Sequence, residues 1–371
     1  MILQPEWKRS AVDLGPADVI NQAIWTALIQ TQRIDLDAAT AWNRVSQLVI
    51  EPLLPSLKSR NKWFISPDGE LHRVPFAALG DLNQGELHPY VDQHRIRLLT
   101  SARDLLISSR HNNRKSPPLV LADPDFDAQF SGRPSHASPL EQGDDKAVLD
   151  QWRSQRWSRL PGSRLEGQAI QHLIRSELRT DQNARSDAVI NASAPRLLHI
   201  ASHGAFLPKP RQNAATTGNR LRALEGKSST GDDPMLRGVV LLAGANRVTV
   251  DGRDDGLLTA LELSRINLQG TDLVTLSACD TGVGSIEVGD GIYGLRRGIA
   301  VAGARSSLLS LWKVSDQATN ALMQAFYSQL SQGHSPEDAL QYAQNQLRTN
   351  ENRSWHHPYY WASFQLYGRS W

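Results

Sequence analysis

The sequence predicts an α/β protein in which a mostly parallel sheet is flanked by helices and preceded by a second α/β subdomain. From about residue 160 onward, short continuous apolar runs alternate with amphipathic segments of helical length, the pattern of parallel strands buried on both faces. The 371 residues also exceed what one ordinary core holds, so two packed subdomains are expected, 1–150 and 151–371.

The elements follow from periodicity and punctuation. Val19, Ile20, Ile24, Ala27 and Leu28, then Trp42, Val45, Leu48 and Val49, recur at helical spacing and predict two leading helices. WFIS (63–66) and LHRVPF (71–76) flank a PDGE turn and predict strands, as do RIRLLTS (95–101) and LVLADP (119–124). Residues 125–159 turn polar and rich in Ser, Gly, Pro and Gln, which predicts a surface linker.

The second half then reads helix 163–179, strands RLLHIAS (196–202) and VVLLAGA (239–245), helix 258–267, strand DLVTLSA (272–278), helix 291–303, strand SSLLSLW (306–312) and helix 316–331. Ser335, Pro336 and Asp338 open another helix, with a capping serine, proline in the first turn and an acid three residues after the cap. A strand at SFQLYG (363–368) closes the pattern. Residues 207–235, rich in Asn, Thr, Gly and Ser, predict a mobile insert.

Composition narrows the function. Apolar residues make up 40% and charged residues 21%, ordinary for a globular chain, and the net charge of +2 is scattered, so neither nucleic acid nor a membrane surface is an expected partner. No apolar run approaches the length of a membrane span, and MILQPEWKRS lacks the basic-then-apolar order of a secretory signal; a cytoplasmic protein is expected. The single cysteine excludes an intrachain disulfide and a multi-cysteine metal site. Gly289, Gly291 and Gly294 match dinucleotide-loop spacing, but the preceding GVGSIEV is not a buried strand, so no cofactor is expected. His356 and His357 are adjacent and point apart, and no metal is expected either.

Chemistry concentrates at two strand ends, where an open parallel sheet presents side chains to ligands. RLLHIAS runs into His203 and Gly204; DLVTLSA runs into Cys279, Asp280, Thr281 and Gly282. A thiol with an imidazole supplies both the nucleophile and the group that returns a proton to a leaving amine. The N–H groups of Gly204 and Cys279 are candidates to hold the oxyanion, where losing one donor costs about 3–4 kcal/mol. Asp280 either binds substrate or orients the loop. Asp316 opens the helix after SSLLSLW, where an acid complements the positive helix end.

HIASHG (199–204), LSACDTG (276–282) and LWKVSD (311–316) resemble the CHAT family of caspase-like cysteine peptidases, relatives of separase. The likeness extends through ISPDGELHRVPFAAL (65–79), LPGSRLEGQAI (160–170), VVLLAGAN (239–246), GDGIYGLRRGIAVAGA (289–304) and HPYYWASFQLYG (357–368). It implies a caspase-like sheet in the second half, a degenerate caspase-like first half, and a His203–Cys279 dyad. It also implies that Asp316 lines the pocket for an arginine or lysine before the cut. The expected activity is endopeptidase cleavage of a protein substrate through an acyl-enzyme on Cys279, regulated by a protein partner or signal. The alternative is a catalytically silent scaffold that keeps the fold.

Overall fold

The computed structural model describes residues 2–3, 9–57, 60–106, 116–130, 152, 154–206, 234–247, 256–277, 289–350 and 355–369. In chain order the principal elements are α1 (Ala17–Gln32), α2 (Ala38–Val49), β1 (Lys62–Ile65), β2 (Arg95–Leu98) and β3 (Leu119–Pro124). Then come α3 (Pro161–Ile174), β4 (Glu177–Asp181), β5 (Leu197–Ala201), β6 (Gly204–Phe206), β7 (Gly238–Leu241) and β8 (Leu257–Thr259). The remainder is α4 (Ala260–Arg265), β9 (Leu273–Leu276), α5 (Gly289–Ala302), β10 (Ser306–Ser310), α6 (Asp316–Ser331), α7 (Pro336–Arg348) and β11 (Phe364–Gly368).

Packing gathers the chain into two compact units. The first comprises Met1–Ser108 and Ser310–Trp371, the second Ser109–Leu309. The boundary expected near residue 150 falls outside the described residues.

In the first unit β2 lies between β1 and β11 and runs parallel to both. Helix α7 starts at Pro336, with the Ser335 hydroxyl accepting the Asp338 N–H at 3.2 Å. It packs on these strands through a buried ion pair: Arg97 of β2 meets Glu337 at 2.9 Å, and Lys62 of β1 reaches the same carboxylate at 2.8 Å. Gln344 also donates to the Phe364 carbonyl of β11. Helices α1 and α2 are pinned together by one buried bond, Trp42 Nε1 to Thr31 Oγ1 at 2.7 Å, with Ile24, Ala27, Val45 and Val49 buried around it.

In the second unit β9, β5, β3 and β4 lie side by side and all parallel, with β10 beside β9. Every residue of β3, β5, β9 and β10 is buried, as continuous apolar runs require. Helix α3 covers this sheet at close range because Gly167 carries no side chain; a Cβ there would stand 2.7 Å from that of Ala122. Both units are thus α/β, with parallel strands flanked by helices.

Several local expectations are corrected. LHRVPF forms short 3-10 turns at Gly69–Arg73 and Phe76–Ala78, not a strand. Helix α3 stops at Ile174, where Arg175 turns left-handed (φ 53°), and the residues expected to continue it form β4. VVLLAGA supplies β7 to a separate antiparallel sheet of order β6-β7-β8. The linker expected over 125–159 is not wholly superficial, since Phe126, Trp152 and Trp157 are buried in one apolar cluster with Val239 and Leu241.

Candidate active site

The site is built on the carboxyl end of β5. Its neighbours β3 and β9 are in parallel register, with His199 opposite Val120 on one side and Thr275 on the other. His199 is fully buried, and its Nε2 lies 3.1 Å from the buried Glu166 carboxylate of α3. This pair sits beneath the strand end and belongs to the core.

His203 follows two residues after β5 and is itself buried, at 4% exposure. Its backbone is fixed where β6 begins: the Leu241 N–H donates to the His203 carbonyl at 2.9 Å, and the Ser202 hydroxyl donates to the Leu241 carbonyl. The ring stands between Phe126 and Trp157, with centroids 5.3 and 5.4 Å away and tilted faces. Nε2 lies 2.8 Å from the Ser158 carbonyl oxygen. A carbonyl only accepts, so Nε2 carries a proton, and in a neutral imidazole Nδ1 is then the acceptor nitrogen.

The residues around Ser158 are anchored on both sides. The Asn246 side chain accepts from the Trp157 N–H at 2.7 Å and donates to the Trp157 carbonyl at 2.9 Å. Arg159 grips Asp123 twice, Nε to Oδ1 at 3.0 Å and Nη2 to Oδ2 at 2.6 Å. Both Arg159 and Arg164 also reach Asp181, bridging the ends of β3 and β4. Hydrogen bonds from Arg164 and then Arg159 hold the Asp181 carboxyl well below the usual carboxylate range.

The CHAT domain model matches residues 40–369, most of the chain. The chain belongs to the CHAT domain family. Among curated relatives, tetratricopeptide repeat protein 28 of Homo sapiens is 26% identical over 313 residues, 81% of this chain. Its Mus musculus counterpart is 26% identical over 314 residues, again 81% of this chain. This CHAT domain chain spans only 12% of the length of either relative. Among solved structures, the separase of the Saccharomyces cerevisiae separase–securin complex gives a TM-score of 0.41 at 11% identity, covering 83% of this chain and 15% of that one. The Arg specific cysteine proteinase gingipain R gives a TM-score of 0.45 at 8% identity, covering 95% of this chain and 74% of that one.

Of the CHAT domain residues expected to carry chemistry, Cys279 and Asp280 lie outside the described residues, as does most of the expected insert, 207–233. Gly204 pairs with Val240 across β6 and β7. Because the Leu241 N–H bonds the His203 carbonyl, Gly204 and Val240 form a non-hydrogen-bonded pair, and the ladder does not use the Gly204 N–H. Asp316, in the first unit, is the exposed first residue of α6, beside a Ser315 hydroxyl that accepts the Ala318 N–H at 3.3 Å.

Ser158, Asn246, Arg159 and Asp123 escape sequence reasoning. Ser158 contributes a backbone carbonyl, which no residue type advertises. Asn246 does leave a trace, as the lone amide closing the apolar run VVLLAGAN.

Proposed function

We propose that this CHAT domain chain is a caspase-like cysteine endopeptidase, with Cys279 as nucleophile and His203 as acid–base partner. The observation that carries it is the His203 ring itself: buried between two aromatic faces, with Nε2–H donated to the Ser158 carbonyl, so that a neutral imidazole has Nδ1 as its acceptor nitrogen. Strand register supports the partner. His199 and Thr275 stand opposite, and His203 and Cys279 each follow them in sequence by four residues.

In the proposed reaction the Cys279 sulfur attacks the scissile carbonyl carbon while its proton passes to His203 Nδ1. The tetrahedral intermediate collapses as the C–N bond breaks, and the leaving amine takes the proton from His203. Water, deprotonated by the same nitrogen, then cleaves the thioester and restores the thiol. The N–H groups of Gly204 and Cys279 hold the oxyanion, a role supported by the absence of the Gly204 N–H from the β6–β7 ladder. Asp316 selects arginine or lysine before the cut, and Asp280 contacts substrate; both roles are supported by sequence position. Control by a protein partner and a cytoplasmic location complete the proposal.

A second reading, a fold-retaining scaffold without turnover, is favoured by one observation: the curated relatives are named for tetratricopeptide repeats and not for an activity. One experiment separates the two. The purified chain and its Cys279→Ala form are offered arginyl and lysyl fluorogenic peptides and an arginyl acyloxymethyl ketone. Cleavage and labelling by the unaltered chain alone support the peptidase; equal behaviour of the two forms removes it.

A further inference from the structure

We infer that Asn246 is a positioning residue for the His203 imidazole, acting through the backbone of Trp157 and Ser158. The inference rests on the peptidase reading and extends it to a residue outside the dyad.

The Ser158 carbonyl has a demanding task. It must stay in line with Nε2, because a neutral imidazole can carry its proton on either nitrogen and only the Nε2–H form offers Nδ1 to a thiol. Yet Ser158 is exposed and lies outside any helix or strand, so no ladder fixes its peptide plane. Asn246 instead fixes the residue just before it. Its carboxamide meets both the N–H and the carbonyl of Trp157, at 2.7 and 2.9 Å, as a neighbouring strand would. Only an amide side chain offers an acceptor and a donor at this spacing.

Asn246 is also tied to the wall of the imidazole. Its N–H donates to the Phe126 carbonyl at 2.9 Å, and the Phe126 ring packs on His203. Arg159, gripping Asp123, anchors the other side of Ser158, through a side chain that is 41% exposed and whose guanidinium is spread over two carboxylates. Asn246 is the more specific anchor. Without it the Trp157–Ser158 segment loses both backbone bonds, the carbonyl moves off the Nε2 axis, and the second tautomer becomes accessible. A tautomer with Nδ1 protonated cannot take the thiol proton.

The test reads the tautomer directly. Histidine-labelled protein is observed by long-range proton–nitrogen NMR, with the His203 signals assigned from a His203→Gln form. The unaltered chain is expected to show Nε2–H. Asn246→Ala, and Asn246→Asp as the isosteric variant that keeps the acceptor and loses the donor, are expected to show a share of Nδ1–H. In peptide cleavage kcat is expected to fall on the order of ten- to hundred-fold with KM little changed, the scale of a lost supporting contact. If Asn246→Ala does not fold, as judged by near-ultraviolet circular dichroism, Asn246→Asp decides. An unaltered tautomer in every folded variant overturns the inference, whatever the activity. A tautomer shift in a chain that never cleaves peptides upholds the positioning role and refutes the peptidase reading instead.

Discussion

Thr275 and His199 face each other across adjacent parallel strands, so the loops that leave β9 and β5 start level at the carboxyl edge of the sheet. Beneath that edge His199 is sealed against Glu166 at full burial, which separates a structural histidine from the one four residues later. The fold therefore commits the first histidine of HIASHG to the core and presents the second beside Phe126 and Trp157.

The proposed role of Asp316 predicts a selective loss. Asp316→Ala should lower kcat/KM for arginyl peptides roughly thirty-fold, since in the proposed complex the substrate side chain covers this exposed carboxylate, and removing one partner of a charge pair desolvated on binding costs about 2 kcal/mol. Thermal stability should move little, because the residue is exposed and its helix-end contribution stays below about 1 kcal/mol. Parallel measurement with a neutral residue before the cut is the control. Equal losses on both peptides would remove Asp316 from specificity.

The buried ion pair of α7 makes the first unit sensitive to acid. Burial alone pushes the Glu337 carboxyl up, but the charge of Arg97 and the bonds from Lys62 and Arg97 outweigh it and hold the group at about 2. Its folded value is thus depressed below the ordinary 4.5, so its stabilisation is complete above pH 4.5 and is lost as pH falls toward 2. Glu337→Gln should cost roughly 3–5 kcal/mol near neutrality by leaving Arg97 short of its counter-charge. Urea midpoints of the two forms should converge between pH 4.5 and 2, and a constant gap would show that the pair does not govern acid stability.

Gly298 is a helix-interior glycine that alanine should not improve. Alanine gains about 1 kcal/mol in intrinsic helix preference. A Cβ at this position would meet the Ala260 carbonyl oxygen at 2.5 Å, where α5 crosses the start of α4. Overpacking of that kind costs about 1–3 kcal/mol, so steric conflict wins. Gly298→Ala should unfold at lower denaturant than the unaltered chain, and a stabilised variant would contradict the close crossing.

Thr31 offers a sharper test of α1 and α2. Its hydroxyl accepts from Trp42 and donates to the Ala27 carbonyl, each at 2.7 Å, with both side chains fully buried. Thr31→Val keeps the shape and leaves the indole N–H without its acceptor, a loss of about 1–3 kcal/mol. Thr31→Ser, which keeps the hydroxyl, should lose less by calorimetry.

Legibility in the sequence followed the kind of information each feature stores. Helix α6 and the start of α7 were readable because Ser315, Ser335 and Pro336 write their ends into side-chain chemistry. LVLADP was readable as β3 because a fully buried strand needs an unbroken apolar run. The same run at VVLLAGA marked a strand but not its partners, since antiparallel pairing with β6 and β8 leaves no mark on residue type. LHRVPF carries the Val and Phe of a strand, yet it forms two short turns, and the Val74 carbonyl between them is taken by the Gln365 side chain of β11. At the site, His203 announced itself by its imidazole, while the Ser158 carbonyl holding that ring is common to every residue. Trp152 and Trp157 were the available hint that the polar stretch before α3 returns to the core.

Strand β4 ends its sheet, and among the described residues no strand pairs with its outer side. Its residues along that border are Glu177, Leu178, Arg179, Thr180 and Asp181, with Glu177 and Arg179 paired at 2.7 Å and Asp181 held by two guanidiniums. A stranger's backbone pairing there would have to lie beside fixed charges of both signs, a poor template for aggregation or for recruiting a further strand. The same arginines that brace the ends of β3 and β4 thereby help keep the sheet from growing, so neutralising them should show first as loss of solubility.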